Sequence, residues 1–330
     1  MQTNTNEKIL SYITVKGQAS INDLSNHLGI TRQAIHKQVN RLLDIGKIQK
    51  IGRPPKVFYL INKTGTIDVA ITPNTLEVDL GLKKAINENF MFITPLGQKK
   101  LGWEGFAEWC KKRNLPIFKT AINYVSTLQK YDKFRVNGLI DGMNKLKNTF
   151  DQIYVDKIFY LDFYSIERFG KTKLGQELLY AKQSQDKKLI KDLIEVVRPR
   201  INELIRDYKI DGVGFIPPTV KREIQFMKEL EKNLHLKTRI IKISKAKTEI
   251  AIPQKTLSKL PDRIENAKNT IFVEENSTYN NILLIDDAVG SGATINETAA
   301  QIKRKGICKN KIIGLSITGS FKGFDIISEV

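Results

Sequence analysis

The chain has 330 residues, 41% of them hydrophobic and 27% charged, a composition that excludes wholesale disorder and suits two or three globular domains. It contains no uncharged apolar run of about 18 residues, and MQTNTNEKIL lacks the apolar core of a signal peptide, so a membrane or secreted protein is not expected and the cytoplasm is. Lys and Arg number 54 against 35 acidic residues, a net charge of +19 that favours a polyanionic partner.

That charge is uneven. Residues 1–63 carry ten basic and three acidic side chains, +7, against +12 for the other 267 residues. Within this segment, residues 6–15 put Ile9, Leu10 and Ile13 on one helical stripe. Ser20 predicts an N-cap for a short helix Ile21–Leu28, with Asp23 in its first turn. Gly29 supplies a turn, and Thr31 caps a third helix from Arg32 to about Asp44. In that helix Ile35, Val39, Leu42 and Leu43 face a core, while Arg32, Gln33, His36, Lys37 and Asn40 point outward. Gly46 ends it, and strands at Lys47–Ile51 and Val57–Ile61 follow, joined by Gly52-Arg53-Pro54-Pro55-Lys56. The order resembles a winged helix-turn-helix domain. The resemblance implies double-stranded DNA as partner, with the third helix in the major groove. Arg32, Gln33 and Asn40 then read base edges, His36 is a polar neighbour on the same face, and Lys37, Lys50 and Lys56 meet phosphates, with Arg53 beside Lys56 at the wing tip.

Thr64–Glu77 reads as a connector. From Val78 to about Phe150 the pattern is largely helical, with Trp103, Phe106, Trp109 and then Ile122, Val125, Leu128 at core spacing. No chemistry is legible there. Cys110 and Cys308, with His27, His36 and His235, are too few for a disulfide framework or a zinc module.

The C-terminal half is more specific. Asn281–Ile285 (NILLI) is an apolar run of buried-strand type ending in Asp286-Asp287. Ala288-Val289-Gly290-Ser291-Gly292-Ala293-Thr294 follows, opening a helix to about Lys305. Glycines let backbone amides approach a phosphate, Ser291 and Thr294 add hydroxyls, and the helix N-terminus favours the anion. Asp286 and Asp287 are placed to accept hydrogen bonds from ribose hydroxyls. This unit resembles the motif by which type I phosphoribosyltransferases bind 5-phosphoribosyl 1-pyrophosphate (PRPP), with Gly290 and Ser291 where many members carry two threonines. Upstream, the apolar run Gly212–Ile216 leads through Pro217-Pro218-Thr219 to Lys221 and Arg222 and a helix ending near Leu234. A strand Thr238–Ile243 precedes the polar stretch 244–261. Gln254–Ser258, Arg263 and Asn266 are similar to the mobile-loop region of ComF-type members. The resemblance covers about residues 155–325. It implies pyrophosphate contacts from Lys221, Arg222, Lys255 and Arg263, with Lys259 nearby. It also implies a base-reading hood over Tyr160–Lys182, with Arg168, Lys171 and Lys173, and Mg2+ arriving with PRPP rather than held by the protein alone. The cysteine cluster usual at a ComF N-terminus is replaced by the winged helix.

The expected fold class is therefore α/β. A winged helix occupies residues 1–63, a connector and helical region 64–150, and a phosphoribosyltransferase-like parallel sheet flanked by helices 151–330. Some bacterial purine repressors join these modules, and the resemblance implies a DNA-binding regulator, as a homodimer, with PRPP or a nucleotide as effector. The alternative is an active phosphoribosyltransferase tethered to DNA or a partner, including one that senses or depletes nucleotides in a defence or stress module.

Overall fold

A computed structural model of the chain describes residues 5–53, 56–61, 80–218, 220, 222–246, 252 and 256–320. The connector Thr64–Glu77, the wing-tip prolines, Thr219, Lys221 and Lys255 lie outside the described residues. The chain divides into two units, residues 1–76 and 77–330.

In the first unit, local signals set each boundary. Helix α1 spans Thr5–Lys16, α2 Ile21–Leu28 and α3 Arg32–Asp44. Ser20 accepts from the Asp23 N–H at 3.2 Å, and Asp23 accepts from the Ser20 N–H at 2.8 Å. This reciprocal box satisfies two otherwise orphaned donors. Gly29 stops α2 at φ 67°, in the left-handed region glycine enters without strain, and the Thr31 hydroxyl caps α3. Strands β1 (Ile48–Arg53) and β2 (Lys56–Ile61) form an antiparallel hairpin, which Ala19 joins by pairing with Tyr59. Ile9, Ile13, Leu24, Ile35, Val39, Leu42, Ile48 and Tyr59 are its core. Leu10 and Leu43, expected inside, are only partly covered at its margin. The first strand runs two residues beyond the expected Ile51, because Gly52 and Arg53 pair with Val57 and Lys56.

The second unit begins with α4 (Leu80–Asn89), the hairpin β3 (Met91–Ile93) and β4 (Lys99–Leu101), then α5 (Gly102–Lys112) and α6 (Ile117–Asp132). Phe106 and Trp109 are buried as expected. Ile122 is not: it is 61% exposed, because the buried stripe of α6 runs instead through Thr120, Ala121, Tyr124 and Tyr131. Short strands β5 (Arg135–Val136) and β6 (Leu139–Asp141), helix α7 (Met143–Lys147) and β7 (Lys157–Phe163) follow, then the small hairpin β8 (Ser165–Ile166) and β9 (Gly170–Lys171). Helices α8 (Lys173–Ser184) and α9 (Lys187–Asp207) lead to β10 (Gly212–Phe215), α10 (Phe226–Leu234), β11 (Arg239–Ile241) and β12 (Ile243–Lys245). The chain continues through α11 (Leu260–Thr270), β13 (Ile271–Val273), β14 (Tyr279–Val289), α12 (Ala293–Arg304) and β15 (Cys308–Gly319).

Seven strands make the main sheet in the order β11-β10-β14-β15-β7-β6-β5. The first five run parallel, and β6 and β5 add an antiparallel edge. Crossover helices cover both faces, so the central strands read as continuous apolar runs. Ile282 and Leu284 of β14 join one core with Ile158, Tyr160 and the α12 residues Ile295, Ala299 and Ile302, together with Phe106 and Tyr124. Leu283 and Ile285 join the opposite core with Leu178 and Ala181 of α8 and the apolar stripes of α9 and α10. Tyr160–Phe163, expected within a hood, belongs to β7, which lies in this sheet between β15 and β6. Among the described residues no helix is long and apolar enough to cross a membrane.

Candidate functional site

In the first unit, the packing of α3 decides which side chains remain available. Ile35, Val39 and Leu42 turn inward, and Arg32, Gln33, His36, Lys37 and Asn40 are all exposed on the opposite side. This polar, cationic face matches donors and acceptors on base edges and phosphates. Lys50 is exposed on β1, and Arg53 pairs with Lys56 across the hairpin end. His27 stacks its ring on Tyr12 with centroids 4.2 Å apart, an ordinary packing role.

In the second unit, the strand order reverses between β10 and β14. From β10 the chain steps outward to β11, and from β14 it steps the other way to β15. The carboxyl ends of two such strands part to leave a crevice, the place where open α/β sheets bind ligands. Asp286 and Asp287 stand at that end of β14. The strand does not stop at Ile285 as expected: Ala288 and Val289 continue the ladder opposite Thr318 and Gly319. Both acids are consequently strand residues, and successive strand side chains point to opposite faces.

Their surroundings follow from that alternation. Asp287 lies on the α8 side, where the Lys182 ammonium is 2.7 Å from its Oδ2. The positive charges of Lys182 and, to a lesser degree, Lys245 both reach Asp286. Desolvation, followed by the nearby Asp287 charge, pushes the Asp286 carboxyl well above the usual carboxylate range. Burial lowers the Lys245 ammonium, and Asp286 opposes that. The Asp286 Oδ1 also accepts the Asp287 N–H at 2.8 Å.

The loop after β14 turns through Gly292 at φ 89°, where a side chain would strain the backbone, and opens directly into α12. The Ser291 hydroxyl accepts the Ala293 N–H at 3.3 Å, and Thr294 is half-exposed. Arg263, only 5% exposed, donates from Nε to the Leu257 carbonyl at 2.7 Å. Its Nη1 lies 3.7 Å from where a side chain on Gly290 would begin, so the guanidinium walls the loop. On another side α7 leans against Gly292 through Leu146. Lys145 donates to the Ser320 hydroxyl at 2.5 Å, and the Ser320 N–H donates in turn to the Val289 carbonyl.

The fold therefore gathers Asp286, Asp287, the loop from Ala288 to Thr294, and Arg263. Arg222 reaches this region indirectly, its guanidinium donating to the Lys182 carbonyl. Lys171 sits over the Tyr164 ring, and Lys173 donates to the Glu88 carbonyl. Sequence reasoning missed the roles of Lys182, Lys245 and Lys145. Helical phase could have put Lys182 on the same side as Leu178 and Ala181, but no local signal pairs it with Asp287.

Among the described residues no group of three or more His, Cys, Asp or Glu is gathered, and Asp287 already carries an ammonium.

The first unit is a winged helix-turn-helix DNA-binding domain, carried on a mixed α/β unit with a mostly parallel sheet. Residues 2–49 match the family model described as winged helix-turn-helix DNA-binding. No curated protein matches the chain.

Proposed function

We propose that this DNA-binding protein is a regulator whose C-terminal unit takes a ribose 5-phosphate group, carried by PRPP or a nucleotide, as its effector. The observation that carries the reading is the position of Asp286-Asp287 and the Gly290–Gly292 loop at the carboxyl end of β14, beside the reversal of strand order. A phosphate in the loop meets the α12 N-terminus and unhindered backbone amides. A ribose lying across the strand end reaches one carboxyl group from each side. Arg263 and Arg222 add positive charge around an anionic ligand. Likeness to a family places no function by itself; the local chemistry supports this one. For regulation, the effector must bind the DNA-competent and DNA-incompetent states unequally.

Fluorescence anisotropy tests it. The full chain is titrated onto duplexes from the gene's own upstream region at fixed salt, with and without PRPP or purine nucleotides. The expected result is sequence-selective binding that one of these ligands shifts by about fivefold or more. Selective binding unchanged by every such ligand overturns the effector assignment. The same preparation, assayed for pyrophosphate release from PRPP with the common bases, tests the catalytic alternative.

A further inference from the structure

Lys182 occupies a fixed place at the cleft. It stands in the last turn of α8, which Leu178 and Ala181 anchor in the core, and its own carbonyl receives the Arg222 guanidinium. The Lys182 and Asp287 side chains are 24% and 18% exposed, far more enclosed than the pair Lys188–Asp192 at 83% and 57%. This is a held ion pair rather than a passing surface contact. An ammonium has three N–H donors, more than the single Asp287 oxygen beside it can take. A divalent ion bound against the same carboxylate would share it with that ammonium, and like charges repel strongly at the reduced dielectric of a cleft.

We propose that Lys182 is a built-in cation of the cleft, meeting the ribose end of the ligand in place of a divalent metal, so that ribose phosphates bind without Mg2+. This rests on the ribose-phosphate reading above. It also separates the cleft from one in which the metal supplies the charge: here positive charge comes from Lys182 of α8, with Lys245 adding to it at Asp286.

The test is calorimetric titration of the full chain with PRPP and with ribose 5-phosphate, first in EDTA and then in excess Mg2+. The expected result is wild-type affinities that agree within about threefold between the two buffers. Lys182→Met is expected to lose about tenfold or more in EDTA, the size of one charge-assisted contact, and Lys182→Arg to retain most of the affinity. Wild-type binding that tightens about tenfold or more with Mg2+ overturns the proposal, and this comparison needs no variant to fold. Lys182→Met, folded by circular dichroism and binding in EDTA as wild type does, also overturns it. If neither probe binds wild type in either buffer, and AMP and GMP do not bind either, the ribose-phosphate reading itself falls, and the role of Lys182 with it.

Discussion

Asp286 carries a cost that its neighbours reveal. Its carboxyl is held above the ordinary range near 4 by desolvation and by Asp287. The folded chain therefore keeps that proton to higher pH than the unfolded chain does. The associated stability is full below about pH 4 and is lost as pH rises towards the elevated folded value. Asp286→Asn keeps the shape and the acceptor for the Asp287 N–H. It is expected to raise the thermal midpoint at neutral pH, on the order of 2–4 °C, and to flatten the decline with pH. A lower midpoint in the variant would contradict this account. On α3, side chains of different chemistry predict different failures. Asn40→Ala should cost about 1–3 kcal/mol on the preferred duplex and little on random DNA. Lys37→Ala should weaken all duplexes alike and reduce the slope of log affinity against log salt by about 0.9. Anisotropy across a salt series separates the two.

At the level of elements, the first unit is built from short, self-contained signals. The Ser20–Asp23 box holds α2, and the Ser20 N–H holds the Asp23 carboxyl below its usual range. That contribution is present above the unfolded value near 4 and fades as the pH falls through the lowered one. Ser20→Ala is expected to cost about 1 kcal/mol and Ser20→Gly only a few tenths. Denaturant midpoints read the difference, and equal losses would show that the hydroxyl is not the cap. Longer-range elements behave otherwise. Ile122 has core-like spacing yet faces solvent, because the partners of α6 select the stripe through Tyr124. Strand β14 passes through two acids, because β15 offers a ladder as far as Gly319.

At the scale of the molecule, the exposed face of α3 and the proposed ligand cleft fall in separate units. If the cleft takes the effector, substitutions there are expected to change DNA binding by changing the effector's influence. Asp286→Asn combined with Asp287→Asn should abolish the effector's influence on operator binding. Its DNA affinity without effector should stay within about twofold of wild type, because no substituted residue lies in the DNA-binding unit. An effector response equal to wild type in this double variant would remove the carboxylates from the ligand site.

The winged helix was legible in residues 5–61 because caps, turns and helical periodicity are interactions between near neighbours in the chain. The order Ser20, Gly29, Thr31 and the apolar phase of α3 sufficed to write its elements and its outward face. The acid pair and the small-residue loop were legible for the same reason. Tertiary structure alone decided what stands opposite those acids. Whether Asp287 meets Lys182, and whether the charges of Lys182 and Lys245 reach Asp286, depends on strand order, on how far β14 runs, and on the phase with which α8 packs against the sheet. Electrostatic partners across layers come from distant parts of the chain, and no periodicity within either segment records the match.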